Sequence, residues 1–239
     1  MVDGRWCAVH DVADRISGYR LDPSSALVLA TAGVALLAVV VDRAWRFSRN
    51  VITIVHEAGH AVAALATGRR LTGIRLHSDT SGLTLSVGRP EGAGMVLTTA
   101  AGYLGPSLLG LCGVAVLAAG WVTVALWVAI GLLLAMLALI RNGYGALSIV
   151  VTGTVIGLVA WYASADTQAV FAHAAVWFLL IGGVRPVFEL RRQRRRGQAR
   201  NSDADQLGTL TRLPAALWVG LFGLAALAAL AGGGWLLLR

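Results

Sequence analysis

The chain has 239 residues, of which 57% are hydrophobic and only 13% charged, roughly half the charged fraction of an ordinary soluble domain (about 25%), so a soluble globular enzyme is excluded and an all-α polytopic membrane protein is expected. The net charge of +8 comes from 20 basic residues, all arginine, and these sit beside apolar stretches, which fits membrane orientation and argues against nucleic acid as a partner. Two distant cysteines, Cys7 and Cys112, exclude a disulfide framework and a thiolate metal site.

In chain order, residues 1–24 alternate acids and arginines without a signal-peptide pattern and read as an N-terminal cytoplasmic segment. Seven apolar stretches then approach the ~20 residues needed to cross a bilayer core: 25–41, 51–68, 95–119, 121–140, 144–163, 169–184 and 213–238. They predict about seven transmembrane helices. A membrane domain over 25–188 would be followed by a basic cytoplasmic loop at 189–212 and a last helix in 213–239. With the N-terminus inside and the C-terminus outside, 16 arginines face the cytoplasm and only Arg43, Arg46, Arg49 and Arg239 lie outside, the bias expected of short cytoplasmic loops. The first external loop, with three arginines, is the dissenting segment. If the first stretch did not span, that loop would move inside and the N-terminus would rest on the membrane.

The second stretch contains His56-Glu-Ala-Gly-His60. Positions i and i+4 share one helix face, so both imidazoles can point at one metal ion, and Glu57 is placed to take a proton from water. Polar groups at membrane depth are costly to bury, by about 3 kcal/mol for an acidic residue, so their default reading is functional.

Between the second and third stretches, alternation on both sides of Ser78–Gly82 predicts a β-hairpin over 71–89. Leu83, Leu85 and Val87 mark its edge. That edge is either a simple connector or a place where an unwound substrate adds as a strand. Gly102, Gly105, Gly110 and Gly113 leave the third helix flat for close packing, and Pro106 removes a backbone donor. The basic run at Arg191–Arg200 follows a span directly, which makes anionic lipid headgroups its expected partner.

His56–His60, the trailing Thr67-Gly-Arg-Arg70, Ser81-Gly82 and Ala101-Gly-Tyr-Leu-Gly-Pro106 occur in one order. That order resembles the site-2 protease family of intramembrane zinc metallopeptidases, in its small bacterial branch without extra domains. The resemblance implies that His56 and His60 bind Zn2+, that Glu57 is catalytic, and that the substrate is a membrane-spanning protein. It also implies residence in a bacterial cytoplasmic membrane and a later aspartate as third ligand, usually within Leu-Asp-Gly. No such tripeptide occurs here. The nearest match is Asp203-Ala-x-x-Leu207, with Asp205 as second choice; Asp79, Asp166 and His173 fit less well. Ser202 and Asp205 could equally form a helix cap. His60 lies nine residues before Arg69, about 14 Å deep, so Asp203 reaches it only if its segment folds back into the bundle. The rival expectations are an inactive membrane scaffold that keeps the motif and, less favoured, a metal transporter. No loop has the roughly 80–100 residues of an inserted peptide-binding domain, and the sequence says nothing of oligomeric state.

Overall fold

The structure is a computed structural model and describes residues 24–198 and 201–239. The expected N-terminal segment, apart from its last residue, and the last two residues of the Arg191–Arg200 run lie outside the described residues. Among the described residues, eight helices and one hairpin follow in order: α1 (Ser25–Val40), α2 (Asp42–Ala66), β1 (Arg70–Leu76), β2 (Gly82–Val87), α3 (Ala93–Ala118), α4 (Val122–Leu139), α5 (Gly143–Tyr162), α6 (Ala165–Arg195), α7 (Asp203–Thr211) and α8 (Ala215–Leu237).

Five helices, α3, α4, α5, α6 and α8, are each long and apolar enough to cross a membrane. Large aliphatics on their outer faces, such as Leu134, Leu158 and Leu224, stay exposed, as a lipid-facing surface requires. The pair α1–α2 adds at most one more span, because the two helices meet at 100° at Val41. The total is therefore five or six among the described residues, where the apolar stretches predicted seven. The reason lies at Asp42–Arg49. This segment, expected to be an external loop, is the first two turns of α2.

Its neighbours place it as well. Arg185 bonds Asp42 (2.5 Å) and a backbone carbonyl of α1, Arg49 pairs with Glu189 (3.5 Å), and the Trp45 indole donates to Glu189 (2.8 Å). The arginines of α2 therefore sit at the same end of the bundle as the basic end of α6, contrary to their assignment to the opposite face. Since Val39 lies at Arg185 while Val28 joins the core of Ala169 and Ala172, α1 runs parallel to α6. Helix α6 itself continues to Arg195, and α7 follows, so much of the expected loop at 189–212 is helical.

Close backbone approach joins α2 to α3. A Cβ on Gly59 would collide with the Ala101 carbonyl oxygen, and one on Gly105 would lie 2.9 Å from that of Val55. The predicted hairpin is present as an antiparallel pair with an irregularity between Leu71 and Gly73. The outer edge of β1 is covered by the α4–α5 turn: Arg141 donates its backbone N–H to Ile74 (2.9 Å), and Asn142 exchanges two hydrogen bonds with the Leu76 backbone. The edge left without a strand neighbour is that of β2.

Candidate metal centre

Helical spacing on α2 brings the His56 and His60 rings edge to face, with centroids 4.7 Å apart and Nε2 atoms 3.1 Å apart. His60 Nδ1 lies 2.7 Å from the Thr98 carbonyl oxygen. A carbonyl can only accept, so Nδ1 carries the proton and Nε2 is left with a free lone pair in the neutral ring. His56 packs edge-on against Tyr103 (4.9 Å), which stacks on Phe222 of α8 (5.0 Å).

Helix α7 brings in the carboxylate. Ser202 and Asp205 form a reciprocal capping box, and Arg194 donates to Asp205. Ala204 and Leu207 are fully buried in the core shared with α3, α6 and α8. With its start capped and one face anchored, α7 aims Asp203 inward. Asp203 Oδ2 lies 3.2 Å from His56 Nε2 and 3.4 Å from His60 Nε2. The expected first and second choices are thus separated in space: Asp205 is spent on the cap and Arg194.

Two sets of donors lie within a metal's reach. His56, Glu57 and His60 offer ligand atoms within 4.8 Å of one another; His56, His60 and Asp203 offer atoms only 3.1–3.4 Å apart. Donors at 2.0–2.1 Å from a tetrahedral ion are separated by about 3.3 Å, so the second set fits zinc better. Gly102 supports the fit. A Cβ there would collide with His60 Nε2 and lie 2.6 Å from His56 Nε2, in the space an ion bound to both would need.

Glu57 faces another way. It is 3% exposed, its Oε2 accepts from the Thr84 hydroxyl at 2.6 Å, and its Oε1 occupies the space that a Cβ on Gly82 would need. A second tie, from the Thr53 hydroxyl to the Thr80 carbonyl (2.9 Å), holds the hairpin to α2. The whole group opens into a cavity of about 460 Å³ bounded by α2, β2, α3, α6 and α7.

Leu83, Leu85 and Val87 alternate with Thr84 and Ser86 along β2 and are exposed by 47, 41 and 60%; Thr84, Ser86 and also Leu83 line the cavity. The three weaker ligand candidates are all engaged away from the histidine pair. Asp79 caps its own turn through Ser81, Asp166 begins α6 at the far end of the bundle, and His173 bonds the Ala169 carbonyl within α6. Thr84, Gly82 and Tyr103 were not anticipated as site residues. The period-two alternation of the hairpin was the available signal for Thr84, since it puts Thr84 opposite Leu83 and Leu85.

A helical membrane bundle with two histidines, a carboxylate and an adjacent glutamate converging in one cavity defines a class: a membrane protein with a candidate HExxH metal site. The family model of Peptidase M50B-like proteins matches residues 29–233, and the chain belongs to that family, a site-2 protease family of metal-dependent peptidases. No curated protein and no solved structure matches it.

Proposed function

We propose that this chain is an intramembrane zinc endopeptidase that hydrolyses peptide bonds of membrane-spanning proteins in or near the bilayer. The observation that carries the reading is the meeting of His56, His60 and Asp203 at tetrahedral spacing beside Glu57. In it, His56, His60 and Asp203 hold the zinc. When bound, zinc supplies Lewis acidity that polarises a carbonyl and acidifies water. Glu57 accepts the proton of the attacking water and delivers it to the leaving amine. The free edge of β2 takes the substrate as an added strand, since a helical segment must unwind before its amides are accessible. Backbone groups, with Thr84 and Ser86 on the cavity side, make that contact; Leu83, Leu85 and Val87 flank it.

The basic end of the bundle faces the cytoplasm, with arginines near Arg191–Arg196 against anionic headgroups. Because α1 runs parallel to α6, α1 then begins at the outer face, not the cytoplasmic one. The 15 described arginines from Arg43 to Arg212 fall on the inner side, which removes the dissenting loop and keeps the charge bias.

The reading is tested by Glu57→Gln in cells that express a tagged membrane-spanning substrate. The variant is expected to accumulate full-length substrate while the wild type cuts it. Equal cutting by both would leave only a scaffold function for the motif.

A further inference from the structure

The position of Glu57 poses a chemical problem. Its carboxylate offers an oxygen within 4.8 Å of a ring nitrogen of each histidine, within reach of the same ion. An anionic fourth ligand would close the site, and closed four-ligand zinc sites are structural whereas catalytic ones keep a position open. Something must hold the carboxylate off.

Two contacts from β2 do this. The Thr84 hydroxyl donates to Oε2 at 2.6 Å, while its 3.2 Å approach to the Glu57 carbonyl is too long to take the proton from that bond. A hydrogen bond to an ionised carboxylate is short and about twice as strong as a neutral one. On the other side, the backbone of Gly82 lies against Oε1, Cδ and Cγ. The carboxylate is thereby held between the strand and α2.

We propose that Thr84 is a positioning residue that keeps Glu57 a base and out of the metal's coordination sphere. The role rests on the zinc-site reading above. It also gives a reason for a hydroxyl at this cavity-lining position of β2, where it reaches the glutamate directly.

The test uses the full chain in detergent, with Zn2+ alone as the probe and loss of metal to a chelator as the readout. Thr84→Val keeps the shape and strand preference but removes the donor. It is expected to release zinc more slowly, because Glu57 joins the histidines and Asp203 as a fourth ligand and closes the site. Thr84→Ser is expected to behave as wild type. Adding Glu57→Gln to Thr84→Val is expected to restore the wild-type release rate, since an amide is a poor ligand. Wild-type protein that binds no zinc would overturn the zinc-site reading and this role together. Wild type that binds zinc, with Thr84→Val releasing it at the same rate or faster, would overturn the positioning role alone.

Discussion

At the scale of single residues, the two aspartates of α7 do different jobs two positions apart. Asp203 faces His56 and His60, so Asp203→Asn is expected to lower zinc affinity and cleavage together, by roughly 10–100-fold or more, as read by chelator competition. Asp205 closes the capping box and pairs with Arg194. Its replacement by Asn is expected to leave zinc binding nearly unchanged and to cost about 1 kcal/mol or less of stability. Burial raises the Asp205 pKa somewhat, but the bonds from Arg194 and Ser202 lower it further. The folded value therefore lies below the unfolded one, near 3.9. Its contribution is present above that pH and fades as pH falls through the folded value. Melting curves of metal-free wild type and Asp205→Asn should accordingly converge in acid; a gap that widened on acidification would contradict the cap assignment. Gly102 was legible only as a packing glycine. Its second role, leaving room beside both histidines, needs the crossing of α2 and α3. Gly102→Ala is expected to yield folded protein without zinc, and normal zinc content would show that the ion sits elsewhere.

At the scale of elements, local patterns were legible where they depend on short periods. The i,i+4 histidines, the alternating hairpin and the Ser202–Asp205 cap all follow from neighbours in sequence. The α1–α2 corner was not, because an apolar stretch followed by three arginines and a second apolar stretch reads as span, loop, span. What overrides that reading is tertiary: Glu189 and Arg185 of α6 gather Asp42, Trp45 and Arg49 into one charged cluster, which offsets the cost of polar groups in α2's first turns. The same is true of α7. Burial of Ala204 and Leu207, on a helix whose start is capped, carries Asp203 from a polar loop composition to the histidines. Which face of β2 meets the cavity follows from the Thr84–Glu57 bond, a contact that alternation alone could not assign to one side.

At the scale of the whole molecule, the arginine count favours one end of the bundle, but the path of α1 decides what lies opposite. With α1 parallel to α6, a cysteine at Ser25 is expected to share the accessibility of one at Asp166, and both should label from outside intact cells. Cysteines placed at Arg192 or Arg89 should not. Labelling of the Ser25 position only after permeabilisation would return the chain to a cytoplasmic N-terminus and would be incompatible with the α1–α6 packing described. The bundle also gives the cavity its setting: α2, α3, α6 and α7 wall it, and the edge of β2 lies along one side.

The central claim is that His56, His60 and Asp203 form one zinc site. Its most direct measurement is the metal content of the purified full chain, prepared without chelator and determined by elemental analysis alongside His56→Ala, His60→Ala and Asp203→Asn. About one zinc per chain is predicted for the wild type, with metal lost from each of the three folded variants. Well-folded wild type without metal, or variants that keep the full complement, would contradict it.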